Sequence, residues 1–552
     1  MGDVRFAQGF VGRFVKAPAE STWPLVHRTL GVPATSLEQG VNALNVFGAR
    51  PHTVALVAES GTVCIKGRPY RADGGTRPTP FGTGDVAREL ATLDGRFAIC
   101  MLSTNRLVLA TDILGASAVF YHFDPQYGLL FSTHLGLLTR SMSRTPALNQ
   151  LGVASVLAGS CMLGERTPYE GICRLQAGEY LIAERQGPAL TYRIAPYVDV
   201  VDELIGGARD ERESFESLIM SAVETNAPSP DAGLMLSGGK DSQTLGLALR
   251  LLGRHQFRAF SFGEWRSEDL RRAKSFAAAL NIEHYAVDYS KWNFESYAET
   301  LTELSAGASG LQAAHHLVAY DRLRGQLALG LVGFLGDALT GAHLPRTGQT
   351  VLDIVLPFRR NWHPELRAAY ATELSLLEAE VEQQWRDRDG LSAIQRSQLT
   401  DLVVRQATWI STSFDLCDWF VPLSFPFFSR RLIRFWLNQP IENLKDQRLY
   451  ANWVSQTFSR LIAETRHTPP FGTRVDEWIQ QALDHLHAQT GRVPVVAVVN
   501  WPAKLKSSAT WLELLAQQTT DERLRRALPA QLRHGSGYYP ALLGAGLACA
   551  VR

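Results

Sequence analysis

The sequence is short of several things at once. It has six cysteines in 552 residues, at positions 64, 100, 161, 173, 417 and 549, and no CxxC pair. A disulfide framework and a cysteine-built zinc site are thereby excluded, and a reducing cytosol fits better. It has no excess charge of either sign: 55 basic and 54 acidic residues leave a formal net charge of +1. A surface made to coat nucleic acid or anionic lipid is therefore not expected. Long apolar runs are missing too, since the C-terminal stretch YYPALLGAGLACAV is too short to span a bilayer. The first residues, MGDVRFAQGFVGRFVKAP, carry charges where a signal peptide needs an apolar run, and no Ser or Thr at position 6 for myristoylation. HExxH, GxSxG and the phosphate-loop pattern GxxxxGK(S/T) are absent, as are internal repeats and low-complexity segments. The expectation is a cytoplasmic protein with neither nucleic acid nor membrane as partner.

What is present divides near residue 205. At 45% hydrophobic and 20% charged residues the composition is that of a globular protein, and the length calls for two or three domains. Before the division, GRFAICML, NRLVLATD, SAVFYHF, GLLFST and HTVALVAES are short β-branched or aromatic runs punctuated by Gly, Asn and Asp. The segment from Glu170 to Tyr197 adds a hairpin-like pair. After the division the period changes: Phe215, Leu218, Ile219, Ala222 and Val223 share one helical face. Strands then alternate with amphipathic segments, the pattern of an α/β domain. Eleven of the twelve tryptophans lie in this second half, so the two cores are built differently.

The most informative stretch is AGLMLSGGKDSQTLGLALRLLG, residues 232 to 253. AGLML reads as a buried parallel strand, and SQTLGLALRLLG as a helix that Gly253 can end. Between them Ser237, Gly238, Gly239, Lys240, Asp241 and Ser242 form a strand-to-helix turn. Such turns gather free backbone N–H groups at the positive end of a helix dipole. Two glycines let the chain approach an anion closely, and two serines can donate to it. A carboxylate, Asp241, beside phosphates makes sense with a cation between them, so the turn suggests a Mg²⁺–pyrophosphate site. The alternative is a tight turn with a surface lysine.

SGGKDS resembles the SGGxDS loop of the N-type ATP pyrophosphatases, and the chain as a whole looks like asparagine synthetase and its relatives, the β-lactam synthetases and lasso-peptide cyclases among them. In the first half LATLDGRFAICML, LVLATDILGASAVFY (with Asp112, Gly115 and Tyr121) and TPYEGICRLQAGEYL are similar to the family's structural marks. The resemblance implies an α/β multi-domain protein. Residues 1–205 would be a glutaminase-like, Ntn-type β-sandwich. Residues 206–552 would be an α/β PP-loop synthetase domain with a parallel sheet and helical additions, including a helical extension from about residue 475. It further implies ATP as substrate and Mg²⁺ as its companion. Residues 257–287 are similar to the family's second strand, which places Phe262, with Leu236 on the first strand, at the adenine. LGLVGFLGDALTGAHLP places Val332 and Gly333 behind the nucleotide, and Asp337 as the second magnesium carboxylate beside Asp241. The alternative for Asp337 is a helix cap. Residues 418–440 are expected to pack helices over the mouth of the site.

The departures from the family are as informative as the likeness. A glutaminase of this type needs an N-terminal cysteine, yet residue 2 is Gly and the first cysteine is Cys64. The first half is therefore expected to be an inactive scaffold, and the amine to come from elsewhere. Where the family has a proton-moving Glu, Tyr or His, this chain has Phe334, so Asp415, Asp418 and His467 become the candidate bases. Where the family has a lysine, this chain has Arg466 and His467 as cations for the polyphosphate. His315 and His316, adjacent on one helix, are not expected to share a face or a metal. The expected activity is adenylation of a small-molecule or peptide carboxylate and its capture by an amine, in natural-product or polysaccharide biosynthesis, with a homodimer possible. Two alternatives stand beside it: a non-catalytic nucleotide-binding homologue, and a PP-loop enzyme of another class such as tRNA thiolation.

Overall fold

The computed structural model describes residues 4–16, 25–26, 28–29, 32–39, 42–47, 50–51, 61–72, 85–144, 146–187, 189–206, 213–227, 231–263, 267–288, 295–465, 508–534, 544 and 547. The run HTVALVAES and the candidates Arg466 and His467 lie outside them.

In the first half two sheets, each of seven strands among the described residues, are stacked face to face. Inward-facing residues alternate along each strand, as the period of two requires. Cys100, Leu102, Leu107, Leu109 and Leu181 of one sheet meet Phe10, Phe14, Leu129 and Phe131 of the other, all essentially sealed from solvent. Pairing is antiparallel throughout these sheets except where Val4–Ala7 runs parallel to Gly61–Gly67. The expected strands are present: Phe97–Ser103, Arg106–Thr111, Phe120–Asp124, Gly128–Ser132 and the hairpin Glu179–Gln186 with Ala189–Pro196. The outer face of the first sheet is covered by helix Val86–Ala91, whereas Val11, Phe47, Phe120 and Leu130 of the second join the core of the C-terminal half. Asp112 organises the turn between two strands by accepting from the N–H groups of Leu114, Ala116 and Ser117 at 3.1, 2.9 and 2.7 Å.

The second half is built on five parallel strands: β1 (Ala232–Met235), β2 (Arg258–Gly263), β3 (Glu283–Asp288), β4 (Leu329–Leu331) and β5 (Leu423–Ser424). Their spatial order is β3-β2-β1-β4-β5. The chain moves outward from β1 through β2 to β3 and then crosses to the other side for β4. The reversal lies between β1 and β4, where open parallel sheets leave a crevice at the carboxyl ends of their strands. Helix Phe215–Asn226 buries the face read from the sequence, and helix Lys240–Leu251 follows the SGGKDS turn directly. Helix Glu522–Arg533 packs between helices Ala509–Gln518 and Pro364–Ala369, with Arg523 paired to Glu373 at 2.9 Å. Among the described residues no helix is long and apolar enough to cross a membrane.

Residues 418–440 do not cover the mouth of the crevice as expected. They supply edge strand β5, and helix Arg430–Leu437 then faces the first half, with the Arg430 N–H donating to Asp94 at 3.1 Å and Arg434 paired to Glu203 at 2.7 Å. An apolar helix face this wide (Leu432, Ile433, Phe435, Trp436 and Leu437 are all buried) is satisfied by burial between the halves.

Candidate active site

The crevice at the strand reversal holds a cavity of about 320 Å³, lined from β1 by Met235, Ser237, Asp241 and Ser242, from β2 by Phe262, and from β4 onward by Val332 to Leu335 and Asp337. Its volume suits a small ligand. The SGGKDS turn closes on itself through short bonds. Ser242 Oγ donates to Gly239 O at 3.0 Å and accepts from the Ser237 N–H at 3.1 Å. Gly238 has φ +79°, and a Cβ there would lie 2.6 Å from Asp269 O, so only glycine fits.

The turn delivers Asp241 into a wrap of backbone from residues 333 to 337. A Cβ on Gly336 would lie 2.3 Å from Asp241 Cγ, and one on Gly333 2.8 Å from Asp241 Cβ. The GFLG sequence is thus the contact surface of a carboxylate. Asp241 Oδ2 accepts from the Asp337 N–H at 3.0 Å, and Oδ1 from the Tyr450 hydroxyl at 2.9 Å. Tyr450, fully buried, accepts in turn from Thr244 Oγ1 at 2.9 Å. Lys240 does not neutralise the pair; its Nζ donates to Gln447 Oε1 at 2.6 Å, while Gln447 Nε2 donates to Asp337 Oδ1 at 3.2 Å and to Thr340 Oγ1 at 2.7 Å. Burial, and after it the charge of Asp337, push the Asp241 carboxyl well above the usual carboxylate range. Two carboxylates that repel each other at the rim of a cavity, one of them exposed, form an all-oxygen donor set short of positive charge. That chemistry fits a small hard divalent cation completed by phosphate oxygens and water. Among the described residues no group of three or more acidic, His or Cys side chains could hold a metal without such help.

The other wall is aromatic. Phe262 meets His316 and Tyr320 at ring distances of 6.0 and 5.8 Å. Phe334 packs on Phe414 and Phe425 at 5.1 and 5.9 Å. Burial, and then neighbouring His315, hold His316 well below the ordinary histidine range, hence neutral. The rings of His315 and His316 lie 3.7 Å apart where they open helix Ala314–Arg322.

Leu236 is buried and its side chain is not part of the cavity wall, which Met235 lines instead; the alternation of the strand decides between them. Asp415 and Asp418 are turned away from the cavity toward the first half. Asp415 is 3% exposed and ion-paired to Lys66 and to Arg96, the latter at 2.6 Å. Burial opposes its charge, but Arg96 and then Lys66 outweigh burial and hold it below the ordinary aspartate range. Burial lifts Asp418 to about 6, a value that would suit a base, yet its carboxylate accepts from the Leu423 N–H at 2.8 Å and borders a cavity of only about 10 Å³. That space admits a water at most. Neither carboxylate is placed to meet a substrate.

Four residues carried no sequence signal: His343, Arg405 and Gln406, which line the cavity, and Asp401, buried behind His343. The last three lie on Asp401–Ile410, a π-helical stretch set between helices Ala393–Thr400 and Ser411–Cys417. A search for 3.6-residue periodicity cannot see side chains that five-residue winding brings together.

Comparison with known proteins agrees with this architecture. Residues 215–454 match the asparagine synthase family model, and residues 83–194 match that of a glutamine amidotransferase domain. The class is that of ATP-dependent carbon–nitrogen ligases of amidotransferase type. Residues 215–454 belong to the asparagine synthase family, and an antiparallel amidotransferase-type sandwich lies ahead of that parallel-sheet region. No curated protein sequence matches it significantly. Among solved structures, the allosteric regulatory enzyme of purine biosynthesis is similar over 45% of this chain and 67% of its own, at 9% identity and a TM-score of 0.20. The glutamine phosphoribosylpyrophosphate amidotransferase from B. subtilis complexed with ADP and GMP gives 45%, 51%, 9% and 0.18, so this chain spans about half its length. Likenesses this slight carry no argument here.

Proposed function

We propose that this protein is an AMP- and pyrophosphate-forming ligase: it adenylates a carboxylate with ATP and couples the acyl group to an amine. The observation that carries the reading is the Asp241–Asp337 pair, set beside the SGGKDS turn at the strand reversal. Ser237, Gly238, Gly239, Lys240 and Ser242 would hold the pyrophosphate portion of ATP. Phe262, Val332 and Gly333 would flank its nucleoside. Mg²⁺, where bound, would offset the charge gathering on departing pyrophosphate. The two carboxylates would hold that cation, and the apolar wall around Phe334 would exclude water from a hydrolysable acyl-adenylate. Residues 1–205 act as a scaffold domain and residues 206–552 as the synthetase domain.

The cysteines among the described residues do not support release of the amine from glutamine by this chain. Cys64, Cys100, Cys161 and Cys417 are buried and Cys173 is half-buried. Burial pushes the Cys161 thiol up to about 12 and raises those of Cys100, Cys173 and Cys417, the opposite of an activated nucleophile. A small-molecule or peptide carboxylate with an amine acceptor, in natural-product or polysaccharide biosynthesis and in the cytoplasm, is the setting this chemistry suits.

The test is pyrophosphate–ATP exchange by the full-length protein across a panel of carboxylic acids, with Asp241→Asn as control. Acid-dependent exchange that the variant lacks supports the reading. ATP binding without exchange for any acid would favour a non-catalytic nucleotide-binding homologue, a reading to which Phe334, closed in by Phe414 and Phe425, lends weight.

A further inference from the structure

With Phe334 unable to move a proton and both Asp415 and Asp418 turned away, amide formation needs a base inside the cavity. We propose that His343 is that base, positioned by Asp401, and that it accepts the proton of the attacking amine. The inference rests on the ligase reading above.

His343 lines the same cavity as Asp241, Asp337 and Phe334, and its side chain is 26% exposed. Its Nδ1 lies 2.8 Å from Asp401 Oδ2. Asp401 is 2% exposed, and a buried carboxylate can only accept, so at this distance Nδ1 carries the hydrogen. Nε2 then presents its lone pair. The described residues offer Nε2 no hydrogen bond; Arg405 Nη1 and Gln406 Nε2 also approach Nδ1, at 3.1 and 3.3 Å, but they are N–H donors, and with the hydrogen on Nδ1 they donate to Asp401 instead. Gln406 Nε2 donates to Asp401 Oδ1 at 3.1 Å, and Arg405 approaches the same oxygen at 3.5 Å. Every lone pair of Asp401 is therefore engaged and the carboxylate cannot rotate away. Burial alone would raise its pKa, but the hydrogen bond and charge of His343, and after them the charge of Arg405, outweigh burial and hold it below the ordinary aspartate range.

The backbone supplies a second, independent observation. Asp401–Ile410 winds as a π-helix, an energetically poor conformation that is found mostly as short insertions at functional sites. Here it serves a geometric end. Asp401, Arg405 and Gln406 stand at i, i+4 and i+5, and the wider turn brings all three to His343, with Ile410 one further turn along the same wall. The charges facing the imidazole are Asp401 and Arg405 from this helix. From the opposite wall Asp241 and Asp337 border the same cavity.

The lone pair of a neutral amine forms the new C–N bond at the acyl carbon. The acyl–oxygen bond to the AMP phosphate breaks, and its electron pair leaves on that phosphate. The proton shed by the nitrogen passes to His343 Nε2, and Asp401 stabilises the imidazolium. His343 is the catalytic residue in this scheme, and Asp401 a positioning residue.

The experiment uses full-length wild type, His343→Gln and Asp401→Asn, with an acid selected by exchange. Adenylation is followed by pyrophosphate–ATP exchange. Capture is followed as product from two probes: hydroxylamine, already neutral at pH 7, and n-propylamine. In His343→Gln, exchange should stay within about 2-fold, hydroxamate formation should fall little, and propylamide formation should fall about 10²–10⁴-fold. Asp401→Asn should show a smaller loss and move the rising limb of the capture pH profile to lower pH, because the imidazole loses its anionic partner. A purely structural role would not shift that limb. Unchanged propylamide formation in His343→Gln overturns the base assignment and leaves the ligase reading intact. Loss of exchange together with capture overturns it too, because His343 would then act in adenylation or folding. Failure of wild type to exchange with any acid overturns the ligase reading and this inference with it.

Discussion

Two clusters of buried charge, one where the halves meet and one at the strand reversal, are handled in opposite ways. In the first half, and where it meets the second, the carboxylates are matched: Asp415 is surrounded by Lys66 and Arg96, and Asp112 by four backbone N–H groups. At the strand reversal Asp241 and Asp337 face each other with Lys240 drawn off to Gln447. A matched network stabilises one arrangement and has nothing left to offer a ligand. An unmatched pair costs stability and awaits a cation. The contrast separates scaffold from candidate site more sharply than burial does, because both contain side chains sealed from water.

The contrast can be broken at its strongest point first. Asp415→Ala leaves Lys66 and Arg96 buried without their anion, and should destabilise the protein by about 3–5 kcal/mol in denaturant unfolding. Lys66→Met combined with Asp415→Leu should recover much of that loss; a double variant no more stable than the single would mean that the network is not what holds the interface.

Acid attacks the same network. His134 Nδ1 donates to Thr133 Oγ1 at 2.9 Å and Nε2 accepts from the Trp419 indole at 3.0 Å, and burial, followed by the charge of Lys66, lowers its pKa to about 3. Its folded pKa lies below the unfolded value of about 6.5, so the unfolded chain binds the extra proton between those limits. Stability should fall as pH drops through that window, by about 1.4 kcal/mol per unit from this one group. His134→Gln should flatten that slope in a pH series of urea titrations, whereas an unchanged slope would assign the acid sensitivity to other groups.

At the site the sign should reverse. Asp241→Asn removes a carboxylate from an unmatched pair, so thermal stability should hold or rise slightly while affinity for ATP with Mg²⁺ falls about 10-fold or more by calorimetry. A variant that loses stability and keeps affinity would place Asp241 with the scaffold. The smallest expected effect is a chemical one. Iodoacetamide mapped by mass spectrometry should leave Cys64, Cys100, Cys161 and Cys417 unmodified in the folded protein, and rapid alkylation of any of them would contradict the scaffold reading.

What the sequence revealed follows from where the information lies in the chain. SGGKDS was legible because strand, turn and helix are contiguous and the glycines carry a steric requirement of their own. The stacked sheets were legible from alternation, although strands Gly9–Val15, Val32–Gln39 and Asn42–Phe47 passed unnoticed among polar neighbours. Tyr450 and Gln447 were not legible, because their role depends on a contact made across some 200 residues. His343 and Asp401 were hidden twice, by separation and by a helix whose period is not 3.6. Asp415 misled for a related reason: its neighbourhood suggested the mouth of the site, and only the distant partners Lys66 and Arg96 fix which way it points.

The Lys66–Asp415 pair also sets an order of events in time. The two residues are 349 positions apart, and Lys66 stands on strand Gly61–Gly67 in the middle of its sheet. At ordinary rates of translation that interval lasts on the order of tens of seconds. Throughout it the nascent sandwich carries cationic side chains with no anion to receive them, and the outer face of its second sheet has no cover. The first half to be made must therefore wait for most of the second before it can finish folding, and a stop or cleavage upstream of residue 415 should yield a sandwich that chaperones retain rather than a free domain.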